Sequence, residues 1–280
     1  MSRIAIVVDS AAAMPVAVAQ EYGVTVVPLS ITVRGTTYAD GQLADDDLLG
    51  RLDEGVTTSA PAPGDFLRAL EDVLSDADGA VIVTVAQSLS ASYGSARVAA
   101  ETYVDRVRVV DSESAAGSEV LVALAAAEAA RAGESIDVVE RAALHAVPEV
   151  RLVGTLESLE HLVRSGRVPG LAGAAGRMLG VNPVFELRRG KVRPLRPAFS
   201  REAAFDRVLE LWLGSRGGAT RGSVVALHAM APDAAKKLRE RVLEHADPNP
   251  LLLSAFGAAM IAHAGPGVAG LAWRWHGVRS

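Results

Sequence analysis

The sequence predicts an α/β fold with two units. An N-terminal three-layer α/β/α unit with a mainly parallel sheet is expected over residues 1–147, and a smaller α/β unit with a mixed sheet over residues 148–280. Three observations lead there. Short β-branched runs alternate with longer helical patterns through the first half, which is how βαβ units read. The second half carries a hairpin signal, which brings antiparallel pairing into a sheet. Half of the 280 residues are apolar and 22% are charged, a globular composition that buries a large core.

The elements follow in order. Ile4–Val8, Val24–Ile31, Ala80–Val85 and Val107–Val110 are short, β-branched and bounded by Asp, Ser or Gly, as buried parallel strands are. Helices are expected between them at Met14–Glu21, Asp45–Leu52, Gly64–Leu74, Ser95–Tyr103 and Gly117–Ala132. A helix at Ile136–Ala146 ends before Pro148, and a strand at Val150–Leu156 follows. A Gly-punctuated helical stretch runs from Leu159 to Leu179. Val184–Arg188 and Lys191–Leu195 flank Arg189-Gly190 as a hairpin. Helices at Arg201–Trp212 and Asp233–Glu244 alternate with strands at Val224–His228, Leu251–Phe256 and Gly270–Trp275.

Composition removes several classes of function. Without cysteine there is no disulfide scaffold, thiol nucleophile or thiolate metal site, and a reducing, cytoplasmic setting is expected. A net charge of −5 argues against nucleic acid as a partner. No apolar run reaches the ~20 residues of a membrane span, so stable membrane insertion is not expected. The six histidines are scattered and no HExxH occurs, so no metal site is expected. Neither a GxSxG elbow, an SxxK pair nor a P-loop lysine is present, which weighs against an autonomous hydrolase or nucleotide kinase.

Hydroxyls gather at strand ends, the position where open α/β sheets bind ligands. The first strand runs into Asp9-Ser10, the third into Ser88-Leu89-Ser90-Ala91-Ser92, and the fourth into Asp111-Ser112-Glu113-Ser114. Each turn alone reads equally as a helix cap. Three on one sheet edge make an anion site the sharper alternative. Thr57-Thr58-Ser59-Ala60-Pro61 reads as a hydroxyl turn before the helix at Gly64. His263-Ala264-Gly265-Pro266-Gly267 specifies a tight turn, with His263 either structural or functional. Arg167, after a Gly stop at Gly166, either complements a helix dipole or forms a cationic rim.

In order and spacing, these pieces resemble the DegV family of bacterial fatty-acid-binding proteins. The resemblance runs from Asp9-Ser10 through Pro28-Leu29, Thr58-Ser59-Ala60-Pro61, Leu89-Ser90, Asp111-Ser112 and Ser165-Gly166-Arg167 to His263 and Gly265-Pro266-Gly267. It implies a DegV-like fold holding one long-chain fatty acid, such as palmitate, in an apolar tunnel, with no cofactor. Thr58 and Ser90 match the family's carboxylate-binding hydroxyls, with the Ala91 backbone adjacent and His263 near the head group. Ser10, Ser59, Ser92 and Ser112 stand behind them as supporting hydroxyls.

The resemblance further implies a monomeric, non-catalytic carrier that presents the carboxylate to a separate fatty acid kinase, whose acyl phosphate product enters phospholipid synthesis. Arg167, Arg196 and Arg201 are the residues expected to face such a partner. The sequence departs from the family at Ala60 (usually Gln), at Ala86-Gln87 (usually Ser-Ser), at Ala91 (usually Gly), at Asn182 (usually Lys) and at Phe199 (usually Arg). Ala91 is expected to crowd a spot where backbone meets ligand. The competing reading is a phosphoryl- or acyl-transfer enzyme that uses the Ser-rich strand ends as an anion cradle and His263 as a base.

Overall fold

The computed structural model describes residues 2–52, 54–168 and 180–277. β1 (Ile4–Asp9), β2 (Val24–Val27), β6 (Gly79–Thr84) and β7 (Val107–Asp111) form a four-stranded sheet in the order β2-β1-β6-β7, parallel throughout. On one face lie α3 (Pro63–Leu74) and α4 (Ser92–Ala100), burying Phe66, Leu70 and Ala96 against Val7 and Ile82. On the other face lie α5 (Ala116–Arg131) and α6 (Ile136–Ala146). That is the expected three-layer unit.

The second sheet is mixed. β8 (Arg151–Thr155), β9 (Val184–Arg188), β10 (Lys191–Pro194), β11 (Arg221–His228), β12 (Leu251–Ala255) and β13 (Ala269–His276) take the order β10-β9-β8-β13-β11-β12, with only β11 and β12 parallel. α8 (Arg201–Gly214) and α9 (Pro232–Leu243) cover its outer face, where Phe205 and Trp212 pack with Val224 and Trp273. Its inner face rests on α5. A Cβ on Gly117 would stand 2.8 Å from that of Val225 and 2.9 Å from that of Ala272, so this helix meets the second sheet at glycine. α5 is therefore buried between two sheets on every side from Ala116 to Ala127, and all but Ser118 and Glu119 of that stretch are apolar or glycine. One continuous hydrophobic cluster joins both sheets.

Several expectations are corrected. The run Val24–Ile31 is not one strand. Pro28 supplies no N–H to continue the ladder, and the chain leaves β2 to form β3 (Ser30–Val33) in a separate antiparallel sheet. The partners there are β4 (Thr36–Ala39) and β5 (Thr57–Ser59). The hydroxyl turn expected at Thr57–Ser59 is thus an edge strand, with Thr58 opposite Ile31.

Other boundaries move less. α1 is Val16–Tyr22, α2 is Asp45–Leu49, and α4 begins at Ser92 rather than Ser95. The helical stretch expected over Leu159–Leu179 forms α7 (Glu160–Arg164) and stops near Gly166, at φ +71°; positions 169–179 lie outside the described residues. His263 and Ala264, read as the start of the turn, instead close a helix not expected from the sequence, α10 (Ala258–Ala264), and the tight turn at Gly265 and Gly267 follows it with φ +76° and +81°. Among the described residues no helix is long and apolar enough to cross a membrane.

Candidate functional site

Where the first sheet's carboxyl edge faces the second sheet's inner face, the layers do not close on each other. A cavity of about 690 Å³ remains, within the ~300–1,000 Å³ typical of small-molecule sites. Its walls are apolar, with Leu29, Leu152, Phe185, Val192, Phe256 and Met260 among them. Polar groups come from the β5 edge, the loop after β6, Ser165 and Arg167 after α7, and α10.

Thr58, on β5, is joined to His263, on α10, by a 2.5 Å hydrogen bond between Oγ1 and Nε2. Burial, and then the Arg167 guanidinium, push the His263 imidazole down to about 4, so it is neutral near pH 7. In the tautomer with the proton on Nε2, His263 donates to Thr58, and Thr58 keeps its own hydroxyl proton to offer into the cavity.

Ser90 lies in the loop between β6 and α4 and also lines the cavity. Its Oγ accepts from the Ser92 N–H at 3.3 Å and meets the Ser92 Oγ at 3.0 Å. Ala91 lines the cavity with φ −78° and ψ 0°, a conformation open to any L residue, so the methyl in place of glycine brings no backbone strain. The helix caps are not what the sequence suggests. α3, α4 and α5 are entered from Ala62, Ala91 and Ala115, none of which has a side chain able to cap. Asp9 does cap, accepting from Ala11 N–H at 3.0 Å at the start of a 3₁₀ turn.

The structure brings Thr58, Ser59, Ser90, Ala91 and His263 to one cavity, and Arg167 stands at its exposed rim. Ser92 is buried immediately behind Ser90. Ser10 and Ser112 do not line the cavity. Ser10 donates to Asp40 at 2.6 Å and accepts from Leu29 N–H at 3.0 Å, fixing the chain where it passes from the parallel sheet to the three-stranded antiparallel one. Ser112 Oγ accepts from Ser114 N–H at 3.2 Å within its own turn. Arg201 is held away by Glu157 at 2.8 Å and the Gly267 carbonyl at 3.2 Å, and Arg196 is exposed outside the cavity wall.

Three acidic residues behind the site escape sequence reasoning. Asp9 is fully buried and accepts from Ala11 and Val85 N–H, both at 3.0 Å. Burial pushes its carboxyl up to about 6 against the opposing pull of the Val85 and Ala11 amides and the Ser92 hydroxyl, with Asp40 adding repulsion. Glu119, in the first turn of α5, is held well above the carboxylate range by burial and then by Asp9 and Asp111. Asp40 accepts from Ser10 and from Ala259 N–H. Only Asp9 carries a sequence signal, as the cap after a strand. Among the described residues no group of His, Cys, Asp or Glu is arranged to hold a metal ion.

Two sheets around a central helix, with an apolar cavity at the parallel sheet's carboxyl edge and hydroxyls, a neutral imidazole and one arginine at its mouth, define a class of α/β ligand-binding architecture. The family model described as "Uncharacterised protein, DegV family" matches residues 3–275, and the chain belongs to the DegV family. A DegV domain-containing protein of Streptomyces coelicolor is 34% identical, over 97% of this chain and 98% of its own. One from Mycobacterium bovis is 32% identical over 96% of each. Among solved structures, a DegV family protein from Thermus thermophilus, described for its fatty acid binding, superposes with TM-score 0.91 at 28% identity, covering 98% of this chain and 99% of that one. Bacillus subtilis DegV, described as a fatty acid binding protein, gives 0.85 at 25% identity over 98% and 100%.

Proposed function

We propose that this protein binds one long-chain fatty acid, with its tail in the apolar cavity and its carboxylate at Thr58 and Ser90. The observation that carries this reading is the cavity itself: about 690 Å³ of mostly apolar space whose polar end offers hydroxyls, with the Arg167 guanidinium at the exposed rim. At ~0.8 kcal/mol per buried methylene, a tail of about 14 methylenes gains on the order of 11 kcal/mol, so apolar burial supplies the affinity. The carboxylate needs only to avoid an unpaired burial, and hydroxyl donors meet that need. The T. thermophilus and B. subtilis relatives support the ligand class.

On this reading the ligand lies between two units divided near Val147, and the protein is a carrier, not a catalyst. We extend the proposal to a separate fatty acid kinase that phosphorylates the presented carboxylate, with exposed Arg167 at the cavity rim facing it. The test is direct. Gentle purification followed by denaturing mass spectrometry should release a fatty acid in near-stoichiometric amount. Recovery of none, with no uptake of added palmitate, rejects the binding reading. Binding without acyl phosphate formation in the presence of a fatty acid kinase and ATP rejects only the extension.

A further inference from the structure

His263 can serve a ligand only if its ring is held against Thr58, and the helix that carries it, α10, is seven residues long. A helix of that length does not hold itself in place, because its nucleation is unfavourable and few bonds follow. Its contacts must fix it. Two of them come from the three-stranded antiparallel sheet, one at each end of the helix.

At the C-terminal end, Thr58 on β5 makes the 2.5 Å bond with the His263 ring. At the N-terminal end, Asp40, which directly follows β4, accepts from the Ala259 N–H at 3.2 Å. The residue that enters α10 is Gly257, which has no side chain to cap it. That glycine also lets the carboxylate approach: a Cβ there would stand 2.8 Å from Asp40 Oδ1 and 2.9 Å from Oδ2. Asp40 is itself braced. Its Oδ2 accepts from the Ser10 hydroxyl at 2.6 Å, and its N–H donates to the Leu29 carbonyl at 2.8 Å. β4 and β5 both pair with β3, so one sheet sets the spacing of the two anchors. Ala259 and His263 are four residues apart and lie on one face of the helix. Displacing the Ala259 end therefore moves the imidazole.

We propose that Asp40 is a positioning residue for the carboxylate site: by holding Ala259 and Ser10 it seats α10 so that the His263 ring meets Thr58 and leaves the Thr58 hydroxyl proton for the ligand. The proposal rests on the fatty-acid reading above. Asp40 does not itself line the cavity and acts through the helix, of which Met260, His263 and Ala264 do.

The test compares Asp40→Ala, Asp40→Asn and Gly257→Ala with wild type. Affinities for palmitate and hexadecanol are measured in each, and the His263 ring is read by proton–nitrogen NMR. Asp40→Ala removes both acceptors and should weaken palmitate about tenfold, as losing one hydrogen bond to a charged group does, while hexadecanol changes by less than about twofold. The proton on His263 Nε2, held against Thr58 in the wild type, should lose its resonance to exchange with water. Gly257, at φ −74°, takes a methyl without backbone strain, so Gly257→Ala should displace the carboxylate and give the same pattern with Asp40 still present. Asp40→Asn keeps an acceptor for Ala259 and should restore palmitate affinity to within about threefold of wild type.

Unchanged palmitate affinity with an unchanged Nε2 proton, in either Asp40→Ala or Gly257→Ala, overturns the positioning role and leaves the fatty-acid reading standing. Equal losses for palmitate and hexadecanol overturn it too, as does a loss in Asp40→Asn as large as in Asp40→Ala. Absence of palmitate binding by the wild type overturns both readings. Gly257→Ala and Asp40→Asn decide the question even if Asp40→Ala does not fold.

Discussion

Ser88 and Gly190 lie 102 residues apart in sequence, and the Ser88 hydroxyl donates to the Gly190 carbonyl at 2.6 Å. The Gly190 amide returns a bond to the Glu113 carbonyl, also at 2.6 Å. The tip of the β9–β10 hairpin is thereby tied to the loops that follow β6 and β7. Because Phe185, Leu187 and Val192 of that hairpin line the cavity, the two bonds hold one wall of the site against the other.

Gly190 occupies φ +69°, and a Cβ there would stand 2.9 Å from Ser88 Oγ. Gly190→Ala therefore meets both backbone strain and a clash, and is expected to cost about 1–2 kcal/mol in urea unfolding. Ser88→Ala removes only an exposed bond and should cost less, on the order of 0.5–1 kcal/mol. Equal stability of Gly190→Ala and wild type would show that the tip is not held as described.

The paired substitution Thr58→Ala with Ser90→Ala removes the two hydroxyls at the cavity mouth without altering the tail's surroundings. Hydrogen bonds to a charged group contribute about 1.5–3 kcal/mol each, so losing two should lower palmitate affinity by about a hundredfold or more. Hexadecanol, lacking the charge, should lose much less. Parallel losses for both ligands in a displacement assay would mean that the variant is misfolded or that the head group binds elsewhere.

His263 predicts an acid-side weakness. Its value drops from 6.5 to about 4, chiefly through burial, so the unfolded chain binds the proton more readily than the folded one. The stability it contributes is complete above pH 6.5 and is lost as pH falls toward 4. Asp9, raised from 3.8 to about 6, works in the opposite sense: its favourable contribution is present below 3.8 and lost as pH rises through 6. Comparing variant with wild type isolates the histidine. His263→Gln, which keeps a donor for Thr58, should lose less melting temperature than wild type between pH 7 and pH 4.5. An identical pH profile would place the imidazole in contact with water.

The parallel sheet was legible because its strands are continuous β-branched runs that few other structures accommodate. The small antiparallel sheet was not. β5 is only three residues long, and its pairing with β3 is a tertiary fact that Thr57-Thr58-Ser59 does not announce. α10 escaped because Ala258–Ala264 carries no polar face to give it a helical period. At the site, the order of hydroxyls pointed to Thr58, Ser90 and His263 as candidates. The buried acids did not show, since an Asp after a strand reads as a cap and Glu119 reads as a first-turn charge. The cavity is where Leu29, Phe185 and Met260 fail to meet, and no local pattern encodes a failure to meet.

Gly154 and Phe185 stand together at one wall of that space. They face each other across β8 and β9, and a Cβ on Gly154 would lie 3.0 Å from both Cε1 and Cζ of Phe185, with the Ala269 carbonyl 3.2 Å away on the other side. The backbone cannot yield, so the ring must, and Phe185 lines the cavity. Gly154→Ala should therefore push the ring into the space a tail would fill, shifting preference toward shorter acyl chains, at a cost of about 1–3 kcal/mol for the overpacking. Adding Phe185→Leu should restore both stability and the longer chain. Competition between acids of graded length, read by mass spectrometry of the bound fraction, gives the preference directly. If the single variant selects the same lengths as wild type, Phe185 does not bound the tail, and the limiting wall must be sought around Phe256 and Met260.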